Sequence, residues 1–488
     1  MKTYFWGMRL KLIGLILCAC IVRPLFSQEI VSENAQALER FRHDLQQLKQ
    51  LRGLEGASVA WSFRRLADAK ELEAYNAGQM LLPASTIKVY TSIAALDVLG
   101  PDYRYETQLI MAGELHGNRL AGDFVLKGSG DPSSGHLDQQ VLTALSKGIA
   151  QAGIEKVRGK LLADPWALPY NYAAIPRDRT WEDMANYFGS GVYGLNWSNN
   201  SLAIRFKSST PAAVTMEQPD SIAWEGKISN LVVPGITDDI YFFPQPFSGD
   251  IQVAGTLSSK NPARSERMAL PHPPLQFVSC LHDTLKQHDI RVKKGFEVLD
   301  TAYQLQKGDS VLVKYFSAPL GTLLKEVNQK SNNLYAEAIA RTTGLKLGSD
   351  GTAEDACRKI RQHLVIRKLA ADTLFELREG SGLGRRNLVT AGGMTQLLQI
   401  ASTRQWFADF EASLATPGNQ GTLRSFKTIK GLKAKTGSLT GVRAYTGYFE
   451  DQSGQRIAFA IILNNYLDGS LIKSQVEKVL ESASRCVF

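Results

Sequence analysis

Three short groups of residues along the chain could together cleave an amide through a covalent acyl-enzyme. Ser85-Thr86-Ile87-Lys88 sets a lysine three positions after a serine, where the loop Pro83-Ala84 gives way to an apolar run that stops at Gly100-Pro101. On a helix that spacing stacks the two side chains on one face, a turn apart and within reach of each other. Ser85 at the start of such a helix meets free N–H groups and the positive end of the dipole, which favour developing negative charge. A serine beside a base needs no histidine to act as a nucleophile. Ser331-Asn332-Asn333 lies between two helical patterns, so its side chains can project from a tight turn into a cleft. Lys435-Thr436-Gly437-Ser438 ends one strand pattern and precedes another. At a sheet edge Lys435 and Thr436 would line a groove, and Gly437 would permit close backbone approach of a ligand.

Each group alone has an ordinary explanation. Ser-x-x-Lys also occurs at Ser470/Lys473, and Ser-x-Asn at Ser198/Asn200 and Ser259/Asn261. A serine that caps a helix, followed by a surface lysine, accounts for such a pair without chemistry. An edge lysine that deters aggregation accounts for Lys435. What sets Ser85, Ser331 and Lys435 apart is the type of element each occupies and their joint occurrence.

The elements that must position these residues come from both ends of the chain. With 488 residues, 44% hydrophobic and 21% charged, the composition is globular and the length calls for two or three domains. Residues 57–63 alternate like a strand, 71–75 can pair with them, and a helix runs from about Thr86 to a stop at Gly100-Pro101. From about Tyr103 to Ala263 short strand patterns alternate with Gly, Asn, Asp and Pro, interrupted by one helix near 140–153, which predicts a β-rich module. Pro262 to Pro274 reads as its exit linker. Helical patterns return at 276–287, 320–329, 334–343, 354–367 and 391–402. Strands follow at 431–435, 442–450 and 456–464, with Asp451-Gln452-Ser453-Gly454 as the turn between the last two, then a helix over 474–484. The economical reading is one sheet built from both ends of the chain, hosting an inserted module.

The N-terminus reads as an export signal over residues 1–27: Lys2, Arg9 and Lys11 precede an apolar run from Leu12 to Val22, too short to span a bilayer. Leu17-Cys18-Ala19-Cys20 leaves open a lipoprotein anchored at Cys20, and an uncleaved anchor would need a longer apolar stretch. Loss of 1–27 removes four basic residues and lowers the net charge from +9 to +5, compatible with an anionic partner such as the cell wall or with an ordinary solvated surface. No long basic run or nucleic-acid motif is present, so no nucleic-acid partner is expected. Cys280, Cys357 and Cys486 are odd in number and lack metal-like spacing, and sequence cannot choose a disulfide among them. The seven histidines show no pairing on one helix that would suit a zinc hydrolase.

Taken in order, Ser-x-x-Lys, Ser-x-Asn and Lys-Thr-Gly are the motifs of penicillin-binding proteins and class A β-lactamases. The chain resembles the class C penicillin-binding proteins, the D-alanyl-D-alanine carboxypeptidase/endopeptidases of the penicillin-binding protein 4 (DacB) type, from about Glu55 to Asn464. The likeness extends to Gly128-Ser129-Gly130-Asp131-Pro132, to Glu379-Gly380-Ser381-Gly382-Leu383 with Asn387, to Gly421-Thr422-Leu423, and to residues 435–442. Two departures stand out: Glu379 where Asp is usual, and Gly384 where Ser is common.

The resemblance implies an α+β penicillin-recognising fold, an all-α lobe against an antiparallel five-stranded sheet. Its catalytic domain would be formed by residues 28–102 and 271–488, with 103–270 as inserted domains. It implies a periplasmic serine hydrolase with no cofactor or metal and at most peripheral membrane association, acting on peptidoglycan peptides and covalently inhibited by β-lactam antibiotics. Ser85 would be the nucleophile, Lys88 its base with a pKa lowered by burial and by Lys435, and Ser331 a proton relay to the leaving amine. Asn333 would hold the substrate amide, Lys435 and Thr436 the terminal carboxylate, with Gly437 beside them, and the N–H groups of Ser85 and Ser438 the oxyanion. A β-lactamase with the same motifs and a non-catalytic β-lactam-binding sensor are the alternatives.

Overall fold

A computed structural model describes residues 33–210, 213–218, 222–246, 248–260, 263–419 and 421–488. The expected export signal lies outside the described residues. The central sheet has five antiparallel strands in the order Lys433–Leu439, Val442–Glu450, Arg456–Asn464, Ser58–Arg65 and Glu71–Tyr75. Arg456–Asn464, almost wholly apolar, takes a central place because both of its faces are covered.

Alternation along these strands sorts the two faces. One presents Val59, Trp61, Phe63, Phe449, Phe459 and Ile461 to a helix over 33–49 and to the terminal helix Ile472–Ser484. Phe63 meets Phe449 edge-on and lies parallel to Phe459. Burying each of these rings contributes roughly 1.5–3 kcal/mol. The other face presents the small Ala60, Ala444, Ala458 and Ala460, which let the helix Ala391–Ala401 lie close against the sheet. Beyond it stand the helices Lys88–Leu99, Leu320–Asn328, Asn333–Lys346, Ala353–Ile366 and Phe407–Ser413. Among the described residues no helix is long and apolar enough to cross a membrane, and Cys280, Cys357 and Cys486 are all unpaired.

Between the first lobe helix and the second, the chain builds a separate body. Seven strands form its main sheet: Arg291–Val292, Lys156–Val157, Arg119–Lys127, Glu106–His116 and Ser310–Phe316 in that order, with Leu161–Asp164 joining Arg119–Lys127 to Phe296–Val298. The helices Val141–Gln151 and Pro273–Gln287 cover one side, burying Leu145, Ile149, Phe277, Val278, Leu281 and Leu285. Two three-stranded sheets within 201–269 form a smaller second core.

This carries the insertion well past residue 270, on to Phe316. The stretch read as an exit linker is instead a strand, Ala263–Ala269, paired with Ser201–Thr210, and then a helix that opens at Pro273. Proline suits the first helical turn because its missing N–H has no partner to lose there. Excising only 103–270 would strip the cover from Phe277, Val278, Leu281 and Leu285. The expected result for such a deletion is an aggregated chain with no cooperative thermal transition by circular dichroism; a sharp two-state melt would show that the body ends where the proline-rich stretch begins.

Candidate active site

The segment that carries Ser85 is pinned from several sides. Asn464, at the end of a central strand, grips the backbone of Leu82 in both directions: Leu82 N donates to Asn464 Oδ1 at 2.7 Å, and Asn464 Nδ2 donates to the Leu82 carbonyl at 3.1 Å. Ala84 then takes φ +45°, costly for a residue with a β-carbon. Ser85 lies in a 3-10 turn, Ala84–Ile87, that runs straight into the Lys88–Leu99 helix. The expected helix start is thus one tighter turn followed by α-helix. Two glycines make room: a β-carbon on Gly437 would lie 2.6 Å from the Pro83 carbonyl oxygen, and one on Gly382 (φ +83°) 2.0 Å from that of Ala84.

Lys88 is fully buried. Its Nζ reaches Ser85 Oγ at 2.8 Å, Asn333 Oδ1 at 2.7 Å and the Ser381 carbonyl at 2.5 Å. Burial lowers its pKa to about 7, opposed by the charges of Glu379 and Glu337 and helped by Arg179. Arg179 is thus a positive charge on Lys88 that the sequence did not suggest, in addition to Lys435, whose repulsion with Lys88 is mutual. Lys435, also fully buried, is held well below the lysine range by burial and then by Lys88.

The second and third motifs meet at the same place. Lys435 Nζ donates to Ser331 Oγ at 2.8 Å and to the Thr436 carbonyl at 2.6 Å. Ser331 itself adopts φ +60°, and Asn332 caps the following helix by accepting from Tyr335 N. Asn333 thereby starts that helix with its amide oxygen on Lys88 and its Nδ2 donating to the Phe188 carbonyl at 2.8 Å. Thr436, Gly437 and Ser438 lie on the edge strand of the sheet, where Ser438 is exposed and its hydroxyl accepts from Arg443. Cavities of about 440 Å³, beside Ser331, Asn333 and Phe188, and about 540 Å³, beside Thr436, Gly437 and Ser438, flank the centre. The decoys go elsewhere. Lys473 Nζ bonds Ser425 and pairs with Glu477, and Asn200 is tied to Gly191 and Asn196 inside the insertion.

Sequence reasoning missed a buried charge cluster behind Lys88. Arg179, from the insertion, lies 3.2 Å from both Glu337 and Glu379 and donates to Ser381 Oγ at 3.1 Å. Burial and then the charge of Glu379 push the Glu337 carboxyl well above the usual carboxylate range. Burial opposes ionisation of Glu379 as well, but its hydrogen bond from Glu337, the charges of Arg179 and Lys88, and Ser381 outweigh that and keep it ionised. Glu379 also accepts from Gly382 N and from Asn387 Nδ2, which fixes the loop whose Ser381 carbonyl receives Lys88. Gly384 is explained too: a β-carbon there would meet the Asp178 carboxylate at 1.9 Å. Glu337 had a faint signal, four residues after Asn333 on one helix face. Arg179 had none.

The chain matches the D-Ala-D-Ala carboxypeptidase 3 (S13) family over residues 42–484, and it belongs to that family. Its reaction class is that of a serine-type carboxypeptidase, a hydrolase. A D-alanyl-D-alanine carboxypeptidase of Actinomadura sp. (strain R39) is 28% identical over 461 residues, covering 90% of this chain and 84% of its own. The D-alanyl-D-alanine carboxypeptidase DacB of Haemophilus influenzae is 26% identical over 451 residues, covering 86% and 87%. In the crystal structure of penicillin binding protein 4 (dacB) from Haemophilus influenzae the same fold recurs, with a TM-score of 0.76 at 22% identity, over 89% of this chain and 97% of that one. That protein has also been solved in complex with a β-lactam.

Two variants test this centre. Arg179→Met leaves Glu337 and Glu379 buried without their cation, which should cost about 3–5 kcal/mol in chemical denaturation. Because Arg179 helps keep Lys88 neutral, any folded fraction should also need a higher pH to react. Gly382→Ala forces the Ser85 turn to move and should lower both the melting temperature and the rate of acylation by penicillin. A variant that reacts at the wild-type rate would mean the turn tolerates displacement.

Proposed function

We propose that Ser85 attacks the carbonyl of the penultimate D-alanine of a peptidoglycan stem peptide and forms an ester with it, releasing the terminal D-alanine. The observation that carries this is the Lys88–Ser85 contact at 2.8 Å, with Lys88 fully buried and its pKa near 7. An exposed lysine is neutral in only about one molecule in two thousand at pH 7. At a pKa near 7 about half the molecules carry a free lone pair beside the hydroxyl, so Lys88 can take its proton.

In this mechanism the alkoxide adds to the carbonyl and the oxyanion is held by the N–H groups of Ser85 and Ser438, worth roughly 3 kcal/mol per donor. Ser331 relays to the nitrogen of the departing amine the proton that Lys88 took from Ser85, so the C–N bond breaks and Lys88 is neutral again. Lys435 and Thr436 hold the terminal carboxylate, whose charge favours the ammonium form that burial otherwise resists. Asn333 orients the substrate amide beside Lys88. Water then adds to the ester, with Lys88 again taking a proton, and frees the shortened peptide. The same chemistry applied to a cross-link, where the departing amine belongs to a second stem peptide, makes the enzyme a D,D-endopeptidase as well. A β-lactam acylates Ser85 by the same attack. Action on the wall places the enzyme outside the cytoplasm, in the periplasm. Purified muropeptides and mass analysis of the products test the substrate assignment: loss of one D-alanine and splitting of dimers are expected, and unchanged muropeptides would overturn it.

Penicillin labelling followed by intact mass should find one adduct on the wild type and none on Ser85→Ala; an adduct on that variant would move the nucleophile. The acylation rate should rise with pH through about 7 as Lys88 loses its proton. Lys88→Arg keeps the charge but offers no lone pair near neutrality, and should acylate on the order of a thousandfold more slowly with an unchanged melt. A rate within about tenfold of wild type would mean that Lys88 serves only as a charge.

A further inference from the structure

The insertion carries a cationic face that the reaction does not use. Along three adjacent parallel strands Arg119, Lys156 and Arg291 stand in register, side by side. Strand spacing sets such neighbours roughly 4.8 Å apart on one face of the sheet. The next residues, Leu120, Val157 and Val292, turn inward to the core. The alternation brings Arg158 and Lys293 out again, on a ladder continued by Arg158 N to the Leu120 carbonyl and Lys293 N to the Val157 carbonyl. With Lys294 these six side chains are all exposed and line a groove of about 780 Å³.

Among the described residues none of the six is in an ion pair. Close in sequence to these strands, Glu155 accepts from Asn118 Nδ2 and Asp123 from Lys160 N, and neither is paired with a cation of this face. Like charges directly across strands destabilise a sheet. Protection of a sheet edge by lysine does not explain the arrangement either, because only Arg291–Val292 is an edge strand, while Lys156 and Arg119 lie on strands paired on both sides. The fold tolerates a row of mutually repelling cations at a place where an external anion would relieve them.

We propose that this face binds the cell-wall polymer itself, through the repeated free carboxylates of its stem peptides. The assignment rests on the substrate class proposed above. Cations spread along two rows suit a chain of separated carboxylates rather than one convergent anion, and no residue of the cleft lines the groove. Binding there would hold the enzyme on the material it cuts, leaving the catalytic centre free to find scissile peptides.

The test is co-sedimentation of the full chain with purified sacculi stripped of covalently attached phosphate polymers. Wild type should pellet, and the combined Lys156→Gln, Arg158→Gln and Lys293→Gln variant should lose about tenfold or more in apparent affinity. Its acylation by a soluble penicillin should stay unchanged, which separates this proposal from the catalytic one: failure of the latter would show as lost acylation in the wild type. Raising salt from about 50 mM to about 500 mM should release the wild type from sacculi. Amidating the sacculus carboxylates should do the same. The single Lys156→Gln variant, which removes a repulsion, should melt no lower than wild type and still bind more weakly, so the test survives if the combined variant misfolds. Equal pelleting of variant and wild type would overturn the proposal. So would tighter binding to anionic phospholipid vesicles or to polyphosphate, which would identify a phosphate-bearing partner instead.

Discussion

A fully buried lysine is the constraint around which the candidate site is arranged. Lys88 can contact Ser85 only if its own helix starts at the right height, and it can stay there only if Asn333 and the Ser381 carbonyl replace the water it has lost. Each of those groups is fixed by something further out. Asn333 is set by the cap that Asn332 makes, and Ser381 by the bonds that Glu379 gathers. Burial alone drives the lysine toward its neutral form, while the carboxylates behind it pull the other way. Arg179 moderates that pull, leaving the amine near balance at neutral pH.

The centre also holds strained backbone that the surroundings must enforce. Ala84 and Ser331 both take positive φ, and both sit next to groups the proposed chemistry uses. Around Ala84 the Asn464 clamp, Gly382 and Gly437 leave the chain little other course. The insertion takes part in this enforcement. Arg179 completes the charge cluster, and the Phe188 carbonyl holds the far side of the Asn333 amide. The inserted module thus forms part of the wall of the site.

Much of this was legible in the residues, and the exceptions have physical reasons. The strands Val442–Glu450 and Arg456–Asn464 begin and end where their apolar patterns and the Asp-Gln-Ser-Gly turn put them, because a strand covered on both faces admits few polar residues. The motif residues could be found because helical spacing and turn chemistry are local. What failed was non-local or disguised. Prolines near 262–274 hid a paired strand and a helix start, so the insertion seemed to end too soon. Phe407–Ser413 is too short to show a helical period. Arg179 meets Glu337 and Glu379 only after the chain has folded back on itself, so no spacing rule points to it.

The pairing of Ser58–Arg65 with Arg456–Asn464 has a consequence for how the protein comes into being. Ser58–Arg65 must wait for a partner that follows the whole insertion in sequence, so the central sheet cannot close until everything between the two strands has been made. Topologies dominated by such distant contacts fold slowly, because a large loop must close before its contacts can reward it. The insertion, whose strands and helices are contiguous, can assemble earlier and wait as a finished body. Until the two distant strands meet, the half-made sheet keeps its apolar faces bare beside an insertion that is already folded.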